Sequence, residues 1–222
     1  MLVLAPLAVL VWWVGSDLAL PRRSPLRRFD GHEVGRLETE MWRAYYAHQP
    51  VRLYGQLVQT LRRQYRLPFW RACLGAYDAA RAAVVFQRGH RRADYELALP
   101  SLLKYYALIR RSGDISFSVE TAARLELQWW IVHRERARHR PEDLEQALAA
   151  LQAAIYQRPE SLFRDHARAR AEAMLLRDAA AENGGVSGAQ WNRIAALLET
   201  SWVSLQHAVS PVSVNPNAAL HP

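Results

Sequence analysis

Cysteine and lysine are almost missing from this sequence: Cys73 and Lys104 are the only examples of each. A single thiol excludes an intramolecular disulfide framework. Cys73 lies in the apolar run Phe69-Trp70-Arg71-Ala72-Cys73-Leu74, where a small buried side chain belongs, and no base is marked beside it to make it a nucleophile. The motifs of common enzyme classes are missing as well. No Gly-x-Ser-x-Gly, no phosphate-cradling glycine loop and no Glu-x-x-His occurs. The sequence therefore carries no signature of a serine hydrolase, a P-loop nucleotide site or a ferritin-like di-iron centre. Alternating apolar and polar runs of strand length are also lacking, which argues against a sheet.

What the chain has in abundance is arginine, and with it a formal net charge of +8. The arginines are spread along the whole chain with no zinc finger or recognition-helix pattern, which argues against nucleic acid as a partner. A membrane surface is the favoured one, because anionic headgroups attract such charge. Half of the 222 residues are hydrophobic and 23% are charged, a globular composition long enough for one well-buried core with an anchor and a tail.

The longest apolar stretch comes first. From Leu2 to Gly15 it is uninterrupted; Ser16 and Asp17 intervene, and Leu18, Ala19 and Leu20 resume it before Arg22, Arg23, Arg27 and Arg28. As helix, residues 2–20 reach roughly 28 Å, just enough for a hydrocarbon core. The expectation is a membrane-anchor helix over residues 1–20, single-pass or peripheral, with those four arginines at the membrane surface. Their position after the apolar stretch puts the domain on the cytoplasmic side by the positive-inside rule. Asp17 requires its carboxylate to sit at an interface, since it is costly within hydrocarbon.

Residues 21–29 read as a basic linker, 30–209 as an α-helical domain and 210–222, with its prolines and asparagines, as a flexible tail. Trimming through Arg28 is expected to leave the domain folded. Within the domain, apolar spacing of three and four recurs between Pro and Gly punctuation, which predicts an all-α fold of about eight helices. The first starts after Asp30 and turns Val34, Leu37, Met41 and Tyr45 inward. Pro50, Pro68, Pro141 and Pro159 open others, Pro100 kinks or restarts the fourth, and Ser118 and Ser187 cap the fifth and eighth. A compact array or irregular bundle is expected. An α-solenoid is the alternative, because the spacing of Ala147, Leu151, Ala154 and Pro159 resembles the second helix of a tetratricopeptide repeat.

One short pattern recurs. Arg36-Leu37-Glu38 with Trp42 matches Arg124-Leu125-Glu126 with Trp130, a tryptophan standing four residues after each glutamate, and Arg170-Ala171-Glu172 is a fainter echo. Arginine and glutamate two apart on a helix cannot share a face, so a solvated arginine tips its glutamate inward. The candidate site is a polar interhelical cluster of Glu38, Tyr45, Glu126, His133, His166 and Glu172, with Glu38 and Glu126 facing one space. Paired Arg, Tyr or Trp groups can satisfy such carboxylates; converging histidines would instead make a non-haem metal site. No motif specifies a metal or a cofactor.

These features predict a membrane-anchored, noncatalytic helical scaffold that engages another protein, with self-association left open. The alternative is a membrane-associated helical enzyme or carrier for a hydrophobic ligand, using the carboxylate and histidine cluster.

Overall fold

A computed structural model describes residues 4–210, and among them every regular element is helical. Ten α-helices follow in order: α1 Leu4–Ala19, α2 Gly31–Tyr46, α3 Pro50–Gln64, α4 Phe69–Arg88, α5 Arg92–Glu96, α6 Leu99–Ser112, α7 Val119–Arg134, α8 Pro141–Tyr156, α9 Arg164–Glu182 and α10 Gly188–Val209. Two 3-10 turns, Arg136–Arg138 and Glu160–Phe163, precede α8 and α9.

The starts follow local chemistry. The Asp30 carboxylate accepts from the amides of His32 and Glu33, Ser118 accepts from Thr121, and Ser187 with Gln190 forms a reciprocal capping box. Pro50, Pro100 and Pro141 stand in first turns, where their missing N–H costs nothing. Of the two expectations for Pro100, a kink or a restart, the structure has the restart, with α5 before it and α6 begun around it. After Pro159 the chain first makes a 3-10 turn, so α9 begins only at Arg164.

Each long helix of the domain lies against its successor: α2 on α3, α3 on α4, α4 on α6, then α6, α7, α8, α9 and α10 in turn. The array closes because α10 also lies along α2. This closed ring, rather than an open solenoid, buries Leu102, Ile109, Ile131, Leu148, Phe163, Ile194, Leu198 and Leu205 almost completely. Two glycines make the closure. A Cβ on Gly31 would stand 2.7 Å from the carbonyl oxygen of Trp202, and one on Gly35 would stand 2.7 Å from the Cα of Glu199. Backbone meets backbone there, so no larger residue fits without moving a helix.

The opening residues belong to the domain more than expected. Ser24 makes an isolated parallel bridge with Gly113, its amide donating to Ser112 O at 2.7 Å. Leu26 N donates to Asp114 Oδ1 at 2.9 Å, and Leu26 and Phe29 are buried. Residues 21–29 are therefore a strap packed on the domain, not a free linker. A cut through Arg28 would remove the core side chain of Leu26 and the Ser24 bridge; it must fall before Ser24.

The expected membrane span is corrected too. No helix among the described residues is long and apolar enough to cross a membrane. α1 has 16 residues, and its last turn is consumed by the domain: the buried Asp17 accepts from Trp70 N at 2.7 Å, and Arg71 donates to Leu18 O and Leu20 O. Trp13 stacks on Phe69 at 5.8 Å. The tail expected over 210–222 falls, beyond Ser210, outside the described residues.

The ring closure yields a paired test by urea denaturation. Gly35→Ala is expected to cost about 1–3 kcal/mol by forcing α2 and α10 apart. Gly55→Ala in α3, whose added Cβ meets nothing within 4 Å, is expected to gain about 0.5–1 kcal/mol from helix propensity. Equal effects at the two positions would refute the close α2–α10 approach.

Candidate functional site

Glu38 comes from the buried face of α2, one turn beyond Gly35, and is 2% exposed. It accepts from three directions: Trp42 Nε1 at 3.2 Å on its own helix, Trp202 Nε1 on α10, and Arg170 Nη1 on α9 at 2.6 Å. The Arg170 guanidinium also lies over the rings of Trp129 and Trp202, 5.8 and 5.9 Å from their centroids. The charge is thus held between one carboxylate and two aromatic faces, which lowers the desolvation cost that a bare buried ion pair would carry.

Glu126 on α7 repeats half of this arrangement. Trp130 Nε1 donates to it at 2.9 Å and the Tyr106 hydroxyl of α6 donates at 2.7 Å. Burial raises its pKa above the usual carboxylate value, while Tyr106, Trp129, Arg170 and Trp130 pull it back. Arg170 therefore acts electrostatically on both glutamates. The recurrent sequence pattern has a structural meaning: in both copies an indole N–H four residues on donates to the glutamate, while Arg36 and Arg124 point to solvent.

His166 is 1% exposed and neighbours the same arginine. Its Nδ1 lies 3.0 Å from Ser201 O and 2.8 Å from Ser201 Oγ, and that hydroxyl donates to the His166 carbonyl at 3.0 Å. Burial first, and then Arg170, push its pKa down to about 3. It is a neutral core histidine packed edge-on against Trp202.

The other three expected members lie elsewhere. His133 pairs with Asp178 at 3.0 Å, in a group completed by Arg136 and Arg177. Glu172 is exposed and pairs with Arg193 at 3.0 Å. Tyr45 turns outward, and its neighbour Tyr46 faces in under the Arg177 guanidinium, 3.2 Å from the ring centroid. The inward row of α2 runs Gly31, Gly35, Glu38, Trp42 and Tyr46; the neighbouring row Val34, Leu37, Met41 and Tyr45 starts buried and reaches solvent at Tyr45. Among the described residues, no group of three or more His, Cys, Asp or Glu side chains is placed to hold a metal ion.

No family model, curated protein or solved structure matches this chain. Its chemistry is therefore read from its own geometry. Both carboxylate oxygens of Glu38 are engaged, Oε1 by the Trp42 indole and Oε2 by Trp202 and Arg170, and Glu126 is held by a phenol and an indole. This constellation joins α2 to α9 and α10, and α7 to α6. Along the chain Arg170 stands out only as part of the faint third echo, and Trp202 only as a member of the apolar row of the last helix, because its partner Glu38 is 164 positions away.

Two expectations test this cluster. Glu38→Gln leaves Arg170 buried beside a neutral amide and is expected to cost about 3–5 kcal/mol. The double variant Glu38→Gln, Arg170→Met is expected to cost clearly less than the sum of the singles, whereas additivity in a double-mutant cycle would refute the pairing. His166 gives the pH arm. Its folded pKa lies below the unfolded one, so the unfolded state takes the proton first, and stability is lost as pH falls from about 6.5 toward 3. A slope approaching about 1.4 kcal/mol per pH unit is expected in that window, and His166→Gln should flatten it in denaturant melts.

Proposed function

We propose that this chain is a noncatalytic helical scaffold held at a membrane surface by α1, presenting its closed helical domain to another protein on the cytoplasmic side. The observation that carries the reading is the state of α1. Val9, Val11 and Trp12 are 65%, 63% and 73% exposed, and Leu10 and Trp13 nearly half exposed. The last turn of the same helix is bolted to α4 through Asp17 and Arg71. An apolar segment held rigidly away from its own core is costly in water and finds its natural solvent in the outer part of a bilayer.

Sixteen residues suit partial insertion rather than a crossing. Trp12 and Trp13 belong at headgroup depth, where amphipathic rings accumulate. The exposed arginines Arg22, Arg23 and Arg28 follow immediately and add attraction to an anionic leaflet. Arg27 is not among them, since its guanidinium donates to Tyr156 O at 2.8 Å and serves the fold. The noncatalytic part of the reading is supported by Glu38 and Glu126, whose carboxylates are engaged by indole, phenol and guanidinium donors of the domain itself.

Vesicle flotation tests the attachment. The full chain is expected to float with vesicles of mixed phosphatidylcholine and phosphatidylserine, and Val11→Asp with Trp12→Asp is expected to abolish flotation while leaving the circular dichroism melt unchanged. Wild-type protein that stays at the bottom of the gradient would overturn the membrane reading.

A further inference from the structure

Where α1 enters the domain, four arginines from three separate segments converge. Arg22 and Arg23 come from the strap, Arg71 from α4 and Arg111 from the last turn of α6. With Leu18 and Ala19 of α1 they line a cavity of about 490 Å³, a volume typical of small-ligand sites. Arg71 is the buried member, 3% exposed. Its Nη2 donates to Leu18 O and Leu20 O, which quenches the negative end of the α1 dipole, and its Nη1 reaches Ser112 Oγ at 3.4 Å. Its Nε has no hydrogen-bond partner at all.

The charges are not balanced. Among the described residues, no carboxylate lies within 4 Å of any of the four guanidiniums. Asp17 acts on Arg71 from farther away, with Oδ2 bonded to Trp70 N and Oδ1 unpartnered. Burial lowers the Arg71 pKa, and the like charges on Arg111 and Arg22 lower it further against the opposing Asp17. Like charges gathered around a cavity, one of them desolvated with a donor to spare, have the electrostatics of an empty anion site. Guanidinium forks match tetrahedral phosphate oxygens in particular.

We propose that this cavity binds the phosphate of an anionic phospholipid headgroup. The inference rests on the membrane reading for its choice of lipid over free phosphate. The cavity wall is the final turn of α1, and Trp12 lies six residues before Leu18, about 9 Å along the helix axis. A phosphate among the arginines therefore leaves its acyl chains beside the exposed Val9, Val11 and Trp12.

The test uses the full chain and two charge-matched variants. Arg22→Gln with Arg111→Gln removes two cavity cations whose side chains make no hydrogen bond in the structure; Arg88→Gln with Arg110→Gln removes two exposed cations from α4 and α6 that do not line the cavity. Flotation is measured on phosphatidylcholine vesicles with and without phosphatidic acid, and thermal melts are followed during titration with glycerol phosphate. The expected result is that the cavity variant binds the phosphatidic acid vesicles about tenfold more weakly or worse, while the control variant binds like wild type. Competition by glycerol phosphate, with a melt shift in wild type and none in the cavity variant, would support the site with free phosphate as its source. Equal weakening of both variants would overturn the cavity in favour of diffuse surface charge. If wild type floats with neither vesicle, the membrane reading fails; a cavity-dependent melt shift would then still uphold the phosphate site, and no shift would overturn it as well.

Discussion

The interaction on which the rest of the structure depends is the pairing of Glu38 with Arg170 inside the closed helical ring. It joins α2 to α9 directly and to α10 through Trp202, and it reaches α7 through Trp129. An ion pair in a low-dielectric interior is a weak source of net stability, because both partners lose hydration. It is a strong source of specificity, because almost any displacement leaves a charge uncompensated. Indole N–H donors on the carboxylate and indole faces under the guanidinium keep the arrangement from being a liability. The pair can exist only because Gly31 and Gly35 let α10 approach α2 backbone to backbone. Side chains at those two positions would hold Trp202 away from Glu38.

Around this pair lie further buried polar groups with partners on the same or neighbouring helices. Tyr106 and Trp130 hold Glu126, Ser201 holds His166, and burial pushes the pKa of Tyr106 and Tyr65 well above the ordinary phenol value. Such groups resemble an active site when read as residue types. Their hydrogen bonds show another use, in which carboxylate and imidazole select one packing of amphipathic helices over its neighbours. Outside the ring the distribution is reversed. α1 leaves apolar side chains in the open, and unpaired arginines collect where it joins the domain. The molecule is thus a closed ring with uncompensated positive charge at one edge.

Several elements were legible along the chain because their causes are local. Asp30, Ser118 and Ser187 marked helix starts, proline marked first turns, and three-to-four spacing marked the helices. The inward lean of Glu38 and Glu126 was legible too, since it follows from helix geometry and solvated arginines at Arg36 and Arg124. Tyr45 was misjudged because two rows of the same three-and-four spacing, one through Leu37 and Met41 and one through Glu38 and Trp42, run side by side on α2, and only the partner helices decide which stays covered to the last turn. His133 and Glu172 were grouped with the wrong cluster for the same reason: a residue type on a helix does not name the helix it faces.

The sequence by itself determined that the chain is helical, where most helices begin, and that a lengthy apolar segment precedes an arginine-rich strap. These are consequences of backbone propensity, capping and hydrophobic period, all of which act within a few residues. Only the tertiary structure decided that the ring closes, that Arg170 serves both glutamates, and that Asp17 and Arg71 turn the end of α1 into part of the domain. Those outcomes depend on contacts between residues from about 50 to more than 160 positions apart, where no periodicity in the sequence carries the information.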